Sequence, residues 1–236
     1  MKTDTLYQHG TLALLVPGLL TGTLTMKELL QHGDTGIGTG EGLDGELIIL
    51  DGKPYQVNSR GEVHVVGDDF TLPFANSHFA DYQPLMSVES ASKTELNQQI
   101  LELSGLQNAF FSVKITGTFS GVKTRAVAKS SQPYKSLAET AKQQSVFTRD
   151  EVAGTLIGYY SPQLFDGIAV GGFHHHFLAD DHTFGGHLLD FTAVTGDVSI
   201  QLFSTLEQHL PVDNDDYRQH DFAKDNIKED VHQAEG

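Results

Sequence analysis

The sequence contains no cysteine and no tryptophan. The absence of cysteine excludes disulfide bonds, thiolate nucleophiles and cysteine-based zinc sites. Any metal ion bound by this chain must therefore be held by histidine, aspartate or glutamate side chains.

Long apolar runs are also missing, and no segment is long enough to span a membrane. The N-terminal run "LALLVPGLL" is short, is interrupted by Pro17 and Gly18, and follows Asp4 as well as Lys2. This pattern differs from that of a secretory signal peptide. We therefore expect the run to be part of the fold, and the protein to be cytoplasmic with no membrane partner.

Positive charge is scarce, because 15 lysines and arginines stand against 31 acidic residues, for a net charge of −16. Such a surface repels phosphate backbones, so we expect no nucleic-acid partner. It also repels a small anionic substrate, unless the binding site has a positive charge of its own. A metal ion or a buried arginine would provide that charge.

Glycine, in contrast, is abundant, with 24 residues spread between apolar runs among the 236 of the chain. Glycines in these positions are typical of turns, and many turns between apolar runs predict many strands. Three helices are also predicted. "TMKELLQHG" has a capping box at Thr25 and Glu28 and ends near Gly33, "SASKTELNQQILELSG" has one at Ser92 and Glu95, and "KSLAETAKQQ" is the third.

The strand pattern predicts a mixed α/β protein of the α+β type. "ELIILDGKPYQV" is typical of two strands joined at Asp51–Gly52, and "NAFFSVKITGTFSGVKTRAVAKS" of two strands that fold back near residues 117–121. From Val146 onward the pattern is again β. We expect a mixed sheet domain with helices over residues 1–130. Residues 131–236 would form a mainly antiparallel sheet or barrel, with the boundary at residues 129–133.

Five of the twelve histidines lie within residues 171–191, "GGFHHHFLADDHTFGGHLLDF". If 172–179 is a strand, His174 and His176 share one face. A hairpin centred between residues 181 and 182 places His176 opposite His187, so the three rings converge. Three imidazoles with an open position are typical of a catalytic zinc site.

An alternative is that these histidines only form a polar patch, since His-x-His is common in surface hairpins and the turn with His182 would then be solvated. On either interpretation His175 and His182 are expected to be exposed or to lie behind the metal ligands. The seven remaining histidines are scattered, and surface or structural roles are expected for them.

Two further charged residues lie in predicted strands. Glu46 alternates with Ile48 and Leu50, which would place a carboxylate on an apolar face. By itself it is better explained as a strand end in water. Arg125, in "KTRAVAKS", fits an exposed basic patch equally well. Glu235 is the penultimate residue and by itself indicates only a frayed terminus.

Together these segments resemble the α-acetolactate decarboxylase family. The resemblance runs through "HGTLALL", "ELLQHGDTGIGTGEGLDGELIILDGKPYQ", "TRAVAKSSQPY", "GTLIGYYSP", "GGFHHHF" and "GGHLLDF". It implies zinc ligands at His174, His176 and His187, a functional glutamate at Glu46 and a functional arginine at Arg125.

The resemblance also implies a glutamate near the C-terminus that returns to the site. This residue falls on Glu235, with Glu229 as a competitor. The chain departs from the family pattern at Ala128–Lys129, where proline and a basic residue are expected, and at Gly40–Glu41, where an aromatic residue is expected.

The implied reaction converts 2-acetolactate to (R)-acetoin and carbon dioxide. Loss of carbon dioxide leaves a carbanion beside a ketone, and a chelated zinc ion can hold that charge as an enediolate. Zn²⁺ would then replace an organic cofactor. Glu46 or Glu235 would protonate the enediolate, and Arg125 would orient the substrate. The resemblance further implies a homodimer.

Two alternatives remain from the sequence. A cupin-like enzyme also binds its metal with His-x-His on a hairpin, although its usual glutamate is replaced here by Asp180 or Asp181. A non-catalytic metal-binding protein would have a closed four-ligand site and no turnover. It would not need the "LDGELIILDG" segment.

Overall fold

A computed structural model of the chain describes residues 2–227, so the predicted tail residues Glu229 and Glu235 lie outside the described part. The protein is α+β, as predicted, with many strands and few helices. The helices are α1 Leu12–Leu15, α2 Met26–Leu29, α3 Lys93–Ser104, α4 Leu137–Ala141 and α5 Asp215–Gln219. The strands are β1 Thr5–His9, β2 Leu24–Thr25, β3 Thr35–Gly40, β4 Asp44–Leu50, β5 Lys53–Val57, β6 Val63–Val65, β7 Thr71–Leu72, β8 Phe74–His78, β9 Gln83–Ala91, β10 Phe111–Ala126, β11 Ser145–Ser161, β12 Gly172–Ala179, β13 Gly185–Asp190, β14 Ala193–Leu202 and β15 Thr205–His209.

The strands form two large sheets and a small pair, β2 with β7. Among residues 2–227, one sheet has seven strands in the order β15-β1-β8-β3-β4-β5-β6, in which β1 and β15 pair in parallel and the other neighbours are antiparallel. The other is antiparallel, in the order β11-β12-β13-β10-β14-β9. Because β10 also pairs with β11, strands β10 to β13 close on themselves like a small barrel.

The two sheets pack face to face, and each is covered on its other side. Between them, Ile48 of β4 packs with Leu178 of β12 in one cluster, and Ile37 of β3 packs with Ile157 of β11 in another. Helix α3 covers the outer face of the six-stranded sheet, while α2 covers that of the seven-stranded sheet. The buried apolar residues therefore form layers on both sides of each sheet.

The division between the sheets does not coincide with the boundary suggested at residues 129–133. The seven-stranded sheet takes β15 from the C-terminal part of the chain, and the six-stranded sheet takes β9 and β10 from the N-terminal part. Strand pairing between residues distant in sequence decides this arrangement, and local composition carries no signal for it.

The helix boundaries follow their capping residues. Capping boxes are present at Thr25 with Glu28 and at Ser92 with Glu95, which confirms both predictions. Helix α3 ends at Gly105 in the left-handed conformation, as expected for a C-terminal glycine. The prediction that α2 extends to Gly33 is wrong, because this helix already ends at Leu29.

Within residues 2–227, no helix is both long and apolar enough to cross a membrane.

The predicted fold-back near residues 117–121 is also wrong, because β10 is one continuous strand of 16 residues. Gly117 is paired with Gly154 on one side and Gly196 on the other. A Cβ atom there would lie 2.3 Å from the carbonyl oxygen of Thr195, so this glycine permits close strand approach and does not mark a turn.

Gly121 changes the direction of the side chains in β10. Its φ of +61° interrupts the regular alternation, and Phe119 and Val122 consequently pack in the same core cluster under α3. Arg125, three residues further on, faces the other sheet and lines a cavity there. The irregularity at Gly121 therefore turns Arg125 toward the site.

Candidate active site and metal centre

A cavity lies between the two sheets, with about 460 Å³ of space between its atoms, part of it open to solvent. The six-stranded sheet lines it with three histidines and an arginine, and the seven-stranded sheet adds a glutamate. Apolar side chains complete the wall. The polar lining residues are Thr39, Glu46, Arg125, His174, His176 and His187, and the apolar ones are Leu12, Leu15, Leu43, Phe74, Val127 and Leu137, with Gly38.

The predicted hairpin register is confirmed, because β12 and β13 pair His176 directly with His187. One nitrogen atom from each of His174, His176 and His187 lies within 4.8 Å of the others. His174 Nε2 and His187 Nδ1 are 3.1 Å apart. Two nitrogen ligands of a tetrahedral zinc ion would be separated by about 3.3 Å, so the spacing suits a metal.

Two glycines precede His187 and let its strand come close to β10 and β12. Gly186 has a φ of +126°, and a Cβ atom there would lie 2.5 Å from the carbonyl oxygen of Arg125. A Cβ atom on Gly185 would lie 2.5 Å from the carbonyl oxygen of Phe177. Arg125, His187 and His176 thereby pair in one row across three strands.

His176 is oriented by the opposite sheet. Its Nδ1 lies 2.9 Å from the carbonyl oxygen of Leu47 in β4, which requires Nδ1 to donate a proton. Nε2 is then the unprotonated nitrogen that faces the cavity. It is buried and has no hydrogen-bond partner within residues 2–227, although Glu46 Oε2 approaches it to 3.4 Å. A buried acceptor of this kind is costly unless it is satisfied by a metal ion or water.

Burial keeps the three rings neutral. It lowers the pKa of His174 to about 3, with a smaller contribution from the charge of Arg125. Burial likewise lowers the pKa values of His176 and His187 well below their ordinary range, helped by His174 and by Arg125 respectively. Neutral imidazoles are the form that binds metals, so the donor set fits a divalent cation such as zinc.

Glu46 is buried, which overturns its interpretation as a strand end in water. Leu43 and Gly45, in the turn before it, both have positive φ angles, and a Cβ atom on Gly45 would lie 2.4 Å from the carbonyl oxygen of Val57. This tight turn places Glu46 on the same face as the buried Ile48, as the alternation predicted. Its carboxylate therefore faces the histidines.

Arg125 is also buried, with 4% of its surface exposed, so the exposed basic patch is excluded. Its Nη1 donates to Gln144 Oε1 at 3.1 Å. The guanidinium group gives the cavity a fixed positive charge in a chain with a net charge of −16. The cavity is thus able to receive an anion that the rest of the surface repels.

Sequence reasoning did not identify the apolar side of the cavity. Leu12 and Leu15 come from α1, and Leu137 comes from α4, which is held by a capping box between Ser136 and Glu139. This helix is the third predicted one, and the capping box is the signal that would have defined where it begins. Nothing local indicates that α1 and α4 meet over the histidines.

The neighbouring histidines differ from one another. His175 is buried on the other face of β12, with its ring stacked on Phe173 at 5.3 Å, so an exposed position is excluded. His182 is exposed in the hairpin turn, beside Tyr55.

The two departures from the family pattern meet in space. Lys129 Nζ lies 4.0 Å from Glu41 Oε1, and Ser130 N donates to the carbonyl oxygen of Gly42 at 2.8 Å. The charge pair is partly exposed and contributes little stability. It joins two loops beside the cavity without entering it.

A buried carboxylate, an arginine and three neutral histidines around a small, mostly apolar cavity define an enzyme site. A family model for alpha-acetolactate decarboxylase matches residues 6–224. The alpha-acetolactate decarboxylase of Streptococcus thermophilus is 39% identical over 235 residues, covering 98% of each chain. That of Lactococcus lactis subsp. lactis, strain IL1403, is 38% identical over 232 residues and also covers 98% of each.

Solved structures agree with these relatives. A Staphylococcus aureus protein of unknown function, similar to alpha-acetolactate decarboxylase, superimposes with a TM-score of 0.94 at 37% identity, covering 98% of this chain and 100% of that one. The alpha-acetolactate decarboxylase of Bacillus subtilis strain 168 gives 0.92 at 30% identity, covering 98% and 99%. The chain belongs to the α-acetolactate decarboxylase family. Similarity over nearly the whole chain argues against the cupin-like and non-catalytic alternatives.

Proposed function

We propose that this enzyme converts 2-acetolactate to (R)-acetoin and carbon dioxide, with a zinc ion held by His174, His176 and His187. The convergence of three neutral imidazole nitrogens within 4.8 Å carries the proposal. The buried Nε2 of His176 supports it, because a metal would satisfy that atom. A bound zinc ion would supply Lewis-acid stabilisation of the negative charge that develops on the substrate oxygens.

Arg125 orients the substrate in this proposal. The substrate is an anion, and the guanidinium group lies in the same row as His187 and His176. Tight binding of the departing carboxylate alone would stabilise the ground state and oppose the reaction. Arg125 would therefore act in one of two ways. It would contact an oxygen atom that the product retains, so that the interaction persists into the transition state, or it would fix the orientation of the substrate.

Glu46 is the proposed proton donor to the carbon that loses carbon dioxide. Its carboxyl group lines the cavity, with Oε2 3.4 Å from His176 Nε2. Protonation from one fixed side would give a single enantiomer of acetoin. The apolar residues that line the cavity would limit the access of water, which would otherwise compete as a proton source.

Glu235 is the proposed second carboxylate, and it lies outside the described residues. Ile227, the last described residue, packs against the apolar cluster that contains Leu12, Leu15 and Leu137 of the cavity wall. Truncation after Ala234 should impair turnover while zinc remains bound, measured by metal content and acetoin release. Full activity of the truncated protein would exclude Glu235, and Glu229→Gln would then test the competitor.

We also propose that the protein is cytoplasmic and, from the resemblance, that it forms a homodimer. Strand β9 ends the order of the six-stranded sheet, and an edge strand of this kind can support pairing between two copies. Light scattering of the purified protein should give twice the mass of one chain. A monomeric mass would contradict this part of the proposal.

The decisive experiment measures acetoin release from racemic 2-acetolactate before chelation, after chelation and after zinc is restored. We expect activity to vanish and return, with (R)-acetoin as the product. Activity that survives complete metal removal would contradict the role of the histidines. A folded, zinc-loaded protein with no activity would contradict the substrate.

A further inference from the structure

Gln144 contacts the proposed substrate-orienting arginine from outside the cavity. It lies in the turn between α4 and β11, and its Oε1 accepts a hydrogen bond from Arg125 Nη1 at 3.1 Å. The sequence pattern extended the third predicted helix to this residue, but α4 ends at Ala141. Gln144 therefore has a position that helix propensity did not predict.

The backbone fixes Gln144 beside Arg125. Strands β10 and β11 pair Arg125 with Val146 and Ala126 with Ser145, so Gln144 directly precedes the paired residues. Its own N–H donates to the carbonyl oxygen of Ala141 at 3.2 Å. Strand pairing on one side and the end of α4 on the other hold the amide in reach of the guanidinium group before any substrate binds.

The same segment forms part of the cavity wall. Leu137, at the start of α4, lines the cavity, and its N–H donates to the carbonyl oxygen of Val16 at 3.1 Å. Gln144 lies seven positions after Leu137. One short stretch of chain thus contacts the substrate space at one end and the arginine at the other.

The choice of an amide has a chemical consequence. A glutamine oxygen accepts a hydrogen bond from the guanidinium group and orients it, yet adds no charge. A carboxylate at the same position would place a negative charge beside the group that receives an anion. It would pair with the arginine and weaken the attraction for the substrate.

We infer that Gln144 is a positioning residue that holds the Arg125 guanidinium group in the orientation required by the anionic substrate, through its neutral amide oxygen. The inference rests on the proposed function of Arg125. Gln144 itself is exposed, so its loss removes no core packing. If Gln144 served only the fold, its replacement would therefore leave catalysis unchanged.

The test compares Gln144→Ala and Gln144→Glu with Gln143→Ala, a matched control at the adjacent exposed glutamine. For each zinc-loaded protein, kcat and KM for 2-acetolactate, metal content and Tm are measured. A hydrogen bond to a charged group predicts that Gln144→Ala lowers kcat/KM about tenfold to a hundredfold. Gln144→Glu should lower it further, chiefly by raising KM. Metal content and Tm should stay at the wild-type values in both.

A double-mutant cycle with Arg125→Lys isolates the coupling. If Gln144 acts through the arginine, Gln144→Ala adds little to the defect of Arg125→Lys. Independent, multiplying defects would overturn the inference. So would a Gln144→Ala protein as active as the Gln143→Ala control, or a Gln144→Glu protein with full activity. A wild-type protein that does not turn over 2-acetolactate would instead contradict the proposed function, and this inference with it.

Discussion

In each of two pairs of histidines in this molecule the rings lie within hydrogen-bond distance, but the surroundings of the two pairs differ. His174 Nε2 and His187 Nδ1 are 3.1 Å apart on β12 and β13, and His9 Nδ1 and His209 Nδ1 are 2.8 Å apart on β1 and β15. At the first pair a third ring, His176, adds a buried nitrogen with no hydrogen-bond partner within residues 2–227. At the second, the remaining nitrogen of His9 is bonded to Thr23 Oγ1 at 2.9 Å.

Two histidines close together are not by themselves sufficient for a metal site. In the pair on β1 and β15, both ring nitrogens of His9 have hydrogen-bond partners, His209 and Thr23, and the ring of His209 is exposed. The cluster on β12 and β13 leaves a buried acceptor that faces a cavity, next to a carboxylate and an arginine. Convergence and unmet hydrogen-bonding capacity distinguish the two, and both depend on the tertiary structure.

The largest expected effect is on the metal. His176→Ala should remove bound zinc and reduce acetoin release to the background rate, because a two-histidine site holds the ion poorly. His209→Ala, the matched change in the other pair, should leave metal content and rate near the wild-type values. Metal analysis and acetoin assays measure both. Equal losses in the two variants would show that the two histidine pairs do not differ in metal binding.

The second-largest expected effect is a loss of kcat in a protein that still binds zinc. Glu46→Gln keeps the shape of the side chain but cannot act as a proton donor, so kcat should fall about a hundredfold to ten-thousandfold. Zinc content should be retained, and Glu89→Gln, at an exposed position on β9, is the control. If Glu46→Gln lost zinc in proportion to activity, the glutamate would support the metal site and the proposed proton transfer would be wrong.

The smallest effect concerns the second histidine pair and stability. Burial, and then the neighbouring His209, lower the pKa of His9 to about 4. The unfolded chain binds a proton at His9 below about pH 6.5, and the folded protein does so only near pH 4. The stabilisation is therefore complete above pH 6.5 and is lost as the pH falls toward 4. His9→Gln removes this titration.

In Tm measurements, the His9→Gln protein should lose less stability than the wild type between pH 6.5 and 4. The exposed His64→Gln variant is the control and should follow the wild-type curve. Parallel curves for His9→Gln and wild type would show that the β1–β15 pair does not titrate as its burial requires.

Much of the site followed from local rules. The period of two placed His174 and His176 on one face, and a symmetric hairpin placed His187 opposite His176, as the strand pairing confirms. The same alternation put Glu46 on the face of Ile48. Burial was beyond these rules. From local pattern alone Glu46 was better explained as a strand end in water and Arg125 fitted an exposed basic patch, because the sheet that covers each of them is formed by strands far away in sequence.

The sequence by itself determined the elements and the chemistry available to them. Capping boxes began α2 and α3, Asp51–Gly52 closed a hairpin, and the absence of cysteine limited the metal ligands to histidine and carboxylate. Only the tertiary structure decided that Gly121 redirects Arg125, that Leu47 fixes the proton on His176, and that Gln144 reaches the arginine. These features depend on which strands and turns become neighbours, and local propensity contains no information about contacts between distant segments.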